Sequence, residues 1–302
     1  MNAPNRSPID TVRIFTSAKA GRGQDRDQLK VLQQLLVDAG IDVAIIKTPA
    51  ELLAWSANAP VIGRAIVTAG GDGTLSLAAS IAPSGMPLLP MPMGTENLLA
   101  RHFGFAADAT LVHHSIMTNQ TMVIDAGTAN GKLFLVMVTA GFDAEVVRAM
   151  HLRRRGHIRR FNYAGPILRA IRRYRFPLIT ANVIDQSGSA ESTSGCWMMA
   201  FNCPRYAASL RIESTADPTD GALNLMSFKR PGIISGLGYL ARIAIGRHRG
   251  HRDVLTRKLT ASNWHSPSRV PFQIDGDYAG HLPVKIETVP AAVTLLRPAS
   301  NR

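Results

Sequence analysis

The chain has little cysteine, few acidic residues and no long apolar run, and each shortage removes a class of function. Cys196 and Cys203 are its only cysteines. They are too few for a disulfide framework and wrongly spaced for a zinc ribbon, so a reducing cytoplasm is the expected compartment. The nine histidines do not supply a metal site, since His113 and His114 are adjacent and the pair His248 and His251 lacks a second ligand pair nearby. Met1 to Asp10 holds Pro4 and Pro8 and no apolar core, so no signal peptide is expected. The most membrane-like stretch, Gly232 to Gly246, is too short to span a bilayer and contains Arg242. A soluble or peripherally membrane-associated protein is expected. Three motifs are also missing. No G-x-x-x-x-G-K-[ST] excludes a P-loop, no G-x-G-x-x-G after the first strand argues against a dinucleotide fold, and no G-x-S-x-G leaves a hydrolase without its nucleophile turn.

What is present begins with charge. Lys and Arg number 34 against 21 for Asp and Glu, a formal net charge of +13 in 302 residues. That surplus points to an anionic partner: a phosphorylated ligand, an acidic membrane surface or nucleic acid. No recognised nucleic-acid module accompanies it, so nucleic acid is the least favoured of the three. The length suggests two domains.

The first third alternates strand and helix. Val12 to Thr16 reads as a strand, Leu29, Leu32, Leu35, Leu36 and Ala39 mark one face of a helix stopped by Gly40, and Ile41 to Ile46 reads as a second strand. A helix over 50–55 follows, then the strand Ala65 to Ala69 and a helix beginning near Leu75. This order predicts a parallel sheet with helices on its faces and ligands at the carboxyl ends of its strands. At one such end stands Gly70-Gly71-Asp72-Gly73-Thr74. At another stands Gly94-Thr95-Glu96-Asn97, ahead of a short helix carrying Leu98, Leu99 and Phe103. Glycines at a strand-to-helix turn permit positive φ and close backbone approach, while the helix N-terminus presents N–H groups to an anion. Together the two turns suggest a nucleotide cradle.

Beyond about Met122 the texture is β-rich. Strand-length runs cover 133–143, 178–185, 196–202, 222–228, 254–262, 270–277, 283–289 and 291–297, with turn residues between most of them. Helices are expected at Ala144 to Met150, Arg159 to Tyr174 and Ile233 to Ile245. The reading is therefore an α/β domain over 1–121 and a β-sandwich over 122–302. Between 148 and 175 the chain carries ten arginines and no acid. This segment reads either as a solvated helix face or as a patch, Arg153 to Arg175, that meets an anionic membrane.

The ordered series "GGDGTL", "PMGTENLLAR", "IDAG", "TAGFDAEVV", "STADPTDGALNL" and "FQIDGDYAG" resembles the diacylglycerol kinase catalytic family, which includes bacterial lipid kinases and sphingosine kinases. The resemblance runs from about Val12 to Arg297. It implies an ATP-binding α/β domain of the kind shared with NAD kinases, a β-sandwich whose last strands return to the first domain, and a Mg²⁺-dependent phosphotransferase acting on a lipid hydroxyl. Carried over by position, Ser17, Thr48, Gly70, Gly71, Gly73, Thr74, Gly94, Thr95 and Asn97 would hold the nucleotide. Asp72 would act on Mg²⁺ or on the substrate hydroxyl, and Asp277 would be the general base. Asp125, Asp217 and Asp220 would belong to a metal and water network, although Asp217 and Asp220 also suit ordinary turns. The family's Asn-Pro is here Ser17-Ala18, its G-T-x-N-D ends in Leu98, and its D-G-E is Asp275-Gly276-Asp277. Two alternatives stay open: an NAD-kinase-like enzyme with a soluble substrate, and a nucleotide- or lipid-binding protein without turnover. A homodimer through an exposed strand edge is also open. On this reading Asp72→Asn abolishes transfer and leaves the melting temperature nearly unchanged.

Overall fold

The computed structural model describes residues 7–16, 24–57, 60–151, 174–206 and 212–299. Ser17, nearly all of the basic segment Arg153 to Arg175 and the expected helix up to Arg173 lie outside these residues. The chain divides into two units, one made of Met1–Asp125 with Ala291–Arg302 and the other of Ala126–Pro290.

In the first unit β1 (Thr11–Thr16), β2 (Asp42–Ile46), β3 (Arg64–Gly70) and β4 (Leu88–Pro92) pair in parallel in the order β2-β1-β3-β4. Helices α1 (Gln24–Asp38), α2 (Pro49–Ala57) and α3 (Asp72–Ile81) follow the first three strands, as parallel pairing requires of its crossovers. β3 is buried along its whole length, which is why it reads as an unbroken apolar run rather than an alternating one. On α1 the stripe Leu29, Leu32 and Leu36 is buried while Val31 and Val37 face water, so one face supplies the packing. Gly40 ends the helix at φ 76°, and Ile41 N donates back to Leu36 O at 2.9 Å. A side chain with Cβ would strain that left-handed stop.

After β4 come α4 (Leu98–Phe103) and α5 (Ala109–Thr118). α5 is absent from the sequence expectations. Its start signal is Asp108, whose carboxylate accepts from Leu111 N at 3.0 Å, a side-chain N-cap. Its end is Asn119 in the left-handed region at φ 49°.

The second unit is antiparallel and built from two sheets. One contains β8 (Ile179–Ile184) between β9 (Ala190–Gly195) and β13 (Ala261–His265), with β13 also paired to the first residues of β16 (Val284–Leu296). The other runs β12 (Val254–Leu259), β11 (Leu223–Phe228), β10 (Trp197–Phe201), β7 (Met137–Ala140), β14 (Pro271–Ile274), β15 (Asp277–His281). A hairpin joins β5 (Thr121–Ala129) to β6 (Lys132–Phe134). Phe134, Trp264, Leu225, Met198, Phe272 and Ile286 are among the side chains that fill the core of this unit. β10 is buried at every position, because Met198 and Ala200 enter that core while Trp197 stacks against Phe228 and meets Phe142 edge-on. Phe142 opens helix α6 (Phe142–His151), and a second helix, α7 (Ile233–Ala244), follows β11. β5 and β16 each begin in one unit and end in the other.

Four expected strands change on inspection. The run 133–143 is cut at Leu135 and Val136 into β6 and β7, in different sheets, because the carboxylate of Asp275 takes the N–H groups of 135, 136 and 137. The run 254–262 is cut at Thr260, whose N–H donates to Ile184 O at 2.8 Å. The two runs around Pro290 are one strand, β16, with an irregularity at Ala291, where φ is 50°.

Candidate active site

The two glycine turns lie back to back in the first unit. Gly70 closes β3, and Gly71 is the N-cap of α3 with φ −96° and ψ −173°. Contrary to the expectation of positive φ, none of Gly70, Gly71, Gly73 or Gly94 is left-handed; what the turns need is the absence of a side chain. A Cβ on Gly70 would collide with Thr74 Oγ1, and one on Gly94 would stand 2.7 Å from Gly71 Cα and 2.7 Å from Asn97 Oδ1. Met93 N donates to Gly70 O at 2.9 Å, tying the second turn to the end of β3. Helix α3 begins at Asp72, earlier than the expected start near Leu75, so Asp72, Gly73 and Thr74 form its first turn. A glycine cap has no side chain to satisfy the first-turn N–H groups, and those groups with the helix dipole make an anion site.

The polar side chains of the turns mostly hold them in place. Asp72 accepts from Leu98 N at 2.8 Å and Leu99 N at 3.1 Å, so it caps α4 from outside that helix. Asn97, buried and left-handed at φ 49°, accepts from Gly94 N at 3.1 Å and donates to Gly94 O at 2.8 Å. Both residues therefore position the turns. The Asp72 geometry also revises the stability half of the Asp72→Asn expectation, because an amide in that place turns a donor toward a donor. Between the turns is a shallow, open depression lined by Thr68, Gly70, Gly71, Asp72 and Asn97 among others. Thr68 Oγ1 is buried there without a partner, and a buried hydroxyl left unsatisfied is the exception in folded proteins. The orphaned hydroxyl and the glycine-lined space that a Cβ would fill both suit the phosphates of a nucleotide. Gly73, Gly94 and Thr95 are exposed beside them.

Other residues singled out from the sequence have structural duties. Thr48 caps α2, its Oγ1 accepting from Glu51 N at 3.2 Å. Asp125 is buried on β5 and accepts from Ala291 N at 2.8 Å, which fixes the irregularity in β16. Asp217 accepts from the N–H and the hydroxyl of Thr219 at 3.0 and 2.6 Å. Asp220 accepts from Ala222 N at 3.0 Å and from Lys258 Nζ at 2.6 Å. Among the described residues no group of three or more His, Cys, Asp or Glu is arranged to hold a metal ion. At Asp220 the Lys258 ammonium already neutralises the carboxylate, so that residue does not fit a resident divalent cation.

Asp277 stands exposed at the first position of β15. Sequence reasoning missed what places it there. Asp275, left-handed at φ 47°, accepts three backbone N–H bonds from Leu135, Val136 and Met137 at 3.0, 3.0 and 2.9 Å, and Gly276 N donates to Gln273 Oε1 at 2.6 Å. Asp275 thus locks the turn that presents Asp277. A second unforeseen group is Asp143, buried at the start of α6 and surrounded by the Thr139 hydroxyl at 2.5 Å, Trp197 Nε1 at 2.7 Å and the Tyr206 hydroxyl at 3.2 Å. Burial raises its pKa above the ordinary carboxylate value despite those donors.

Residues 11–129 match the family model described as the diacylglycerol kinase catalytic domain, and residues 136–297 match the YegS C-terminal NAD kinase beta sandwich-like domain. A diacylglycerol kinase of Mycobacterium tuberculosis is 31% identical over 242 residues, covering 78% of this chain and 77% of that protein. The chain belongs to the diacylglycerol kinase family. Membership makes it a phosphotransferase with an alcohol group as acceptor, and implies ATP as donor. The crystal structure of a diacylglycerol kinase from Bacillus anthracis has a TM-score of 0.70 at 20% identity, over 97% of this chain and 98% of that one. An NAD kinase from Archaeoglobus fulgidus in complex with ATP has a TM-score of 0.51 at 12% identity, over 95% and 93%. Both show the shared fold: a largely parallel α/β domain followed by an antiparallel β domain. No helix among the described residues is long and apolar enough to cross a membrane.

Proposed function

We propose that this diacylglycerol kinase family member phosphorylates the free hydroxyl of a diacylglycerol-like or sphingoid lipid at the cytoplasmic surface of a membrane. The observation that carries the reading is the pair of glycine turns at the bare N-terminus of α3, with Thr68 Oγ1 orphaned beside them. ATP supplies the γ-phosphoryl group, with Mg²⁺ accompanying its phosphates. The N–H groups of Gly71, Gly73 and Thr95 donate to those phosphates, work that needs no P-loop lysine, while Gly70, Thr74 and Gly94 shape the cradle, the N–H groups of Thr74 and Gly94 being held by Gly71 O and Asn97 Oδ1. Asp72 and Asn97 keep the two turns at contact distance. Thr48 and Ser17 belong to the loops beside the nucleotide. Asp277 takes the proton of the acceptor hydroxyl, a role for which an exposed carboxylate on a rigid turn is suited. The basic segment Arg153 to Arg175 faces anionic lipid, each basic residue near such a surface being worth about 1 kcal/mol.

The test is transfer of labelled γ-phosphate from ATP to diacylglycerol, monoacylglycerol, ceramide and sphingosine in mixed micelles, with NAD in a lipid-free reaction alongside. A labelled lipid that vanishes with Asp277→Asn is the expected result. Label appearing in NAD alone would replace the lipid by a soluble acceptor, and ATP binding without any labelled product would leave a binding protein.

A further inference from the structure

Helix α7 has two faces of similar apolarity, and only one of them has a partner among the described residues. Gly236, Tyr239 and Ile243, spaced three and four apart, form the inner face. Tyr239 and Ile243 are buried, Tyr239 packs on Phe228 with ring centroids 4.8 Å apart and receives Arg230 N on its hydroxyl at 3.0 Å, and Gly236 lies over Phe176. On the other side of the helix stand Ile234, Leu237 and, just past the last turn, Ile245, which are 87%, 57% and 67% exposed. At 100° per residue these three fall within about 80° of one another and roughly opposite the inner face. Exposed Ala241 lies on the same line. Single exposed apolar side chains are ordinary, but an isoleucine, a leucine and a second isoleucine aligned along a helix are not.

The surroundings of this stripe have one sign. From Lys229 to Arg252 the sequence holds Lys229, Arg230, Arg242, Arg247, Arg249 and Arg252 and no acid. Arg230 pairs with Asp253 and Arg249 with Glu213, whereas Lys229 and Arg247 are exposed at the two ends of the helix. Two copies of the chain meeting through this stripe would bring like charges together. A bilayer carrying anionic lipid accommodates both features at once, its acyl boundary taking the apolar line and its headgroups the flanking cations.

We infer that α7 is an interfacial helix that lies in the surface of an anionic membrane, with Ile234, Leu237 and Ile245 as its inserted side chains. The inference rests on the lipid-kinase reading only in expecting a bilayer, and it names a surface distinct from the basic segment Arg153 to Arg175. At one bilayer surface the two would add: the arginine-rich segment supplies charge, and α7 supplies insertion.

The experiment is flotation of the full chain with vesicles of phosphatidylcholine alone and with about one third phosphatidylglycerol, comparing the wild type with Ile234→Asp/Leu237→Asp and with Lys229→Gln/Arg247→Gln. Ile234 and Leu237 face solvent, and an aspartate near the start of the helix suits its dipole, so thermal denaturation of both variants should match the wild type. The aspartate pair should lose binding to anionic vesicles by roughly tenfold or more, and the glutamine pair should lose several-fold and show a weaker response to salt. A separate Ile234→Trp variant should shift its emission to the blue on anionic vesicles and be quenched by lipids brominated along the acyl chain. Trp197 and Trp264 are buried, and the half-buried Trp55 lies under Arg13 and Arg64; the wild type carries all three, and its spectra with and without vesicles are subtracted as background. Unchanged binding of the aspartate pair, emission from the Ile234→Trp variant that ignores bromolipid, or self-association abolished by the aspartate pair in place of vesicle binding would each overturn the inference. Docking and chemistry separate cleanly. Transfer to lipid in detergent micelles without α7-dependent flotation defeats only the docking, and flotation without transfer defeats only the proposed reaction.

Discussion

Replacing Asp72 by Asn separates what the residue holds from what it does. In the native protein its carboxylate accepts the N–H groups of Leu98 and Leu99 at 2.8 and 3.1 Å. A backbone N–H to a carboxylate contributes about 1.5–3 kcal/mol. Asparagine keeps one acceptor oxygen and turns its NH₂ toward the other N–H, so one bond is lost and two donors face each other. The expected cost is about 2 kcal/mol, which at roughly 2–4 °C per kcal/mol for a protein of this size lowers the melting temperature by about 4–8 °C. Thermal denaturation followed by circular dichroism measures it. Phosphoryl transfer should fall as well, because α4 and the Gly94 turn are no longer held against α3. Activity should return in part at low temperature or high ATP, where binding favours the ordered turns. A melting temperature within about a degree of the wild type would refute the capping argument and leave Asp72 acting on the reactants alone.

Further outcomes follow from the same contacts. Gly94→Ala puts a methyl group 2.7 Å from Gly71 Cα; spreading the turns should cost about 1–3 kcal/mol and raise the KM for ATP far more than that for lipid, in steady-state kinetics with each varied in turn. Asp275→Asn tolerates the left-handed backbone but weakens the acceptor of three N–H groups, so urea denaturation should show a loss of about 1–3 kcal/mol. Asp143 has a raised native pKa, so unfolding returns it to the ordinary range near 4. The stability it contributes is complete below that value and is lost as pH rises through the native pKa. Asp143→Asn should flatten the stability profile above about pH 4, whereas an identical slope in both proteins would show the carboxyl to be ionised in the folded state.

Much of the parallel half of the molecule was legible because β2 and β3 are largely apolar runs ended by a polar or glycine turn. β3, buried at every residue, needs no alternation to be recognised. The strands that escaped are those whose ends are set by distant groups. Nothing local marks the break at Leu135 and Val136, which exists because Asp275, well over a hundred residues later, takes their N–H groups. Pro290 reads as a terminator, yet β16 runs through it because Asp125 accepts the N–H of Ala291. β9 escaped for a different reason: Ala190 to Gly195 is a polar strand whose first three residues are exposed, and it carries no apolar pattern. At the site, the glycines were found and the close backbone approach expected of them is what the turns use, but the positive φ expected beside it is absent. The left-handed backbone belongs to Asn97, while Gly70 and Gly94 are required by the closeness of Thr74, Asn97 and Gly71, a distance between two turns that a sequence does not display.

The most direct test of the account is equilibrium binding of ATP to the wild type and to Gly94→Ala and Asp277→Asn, paired with transfer of its labelled γ-phosphate to diacylglycerol in mixed micelles. The account requires that the wild type label the lipid, that Gly94→Ala lose ATP affinity, and that Asp277→Asn bind ATP normally while labelling no lipid. Undiminished ATP affinity in Gly94→Ala would contradict the claim that the paired glycine turns are the phosphate cradle.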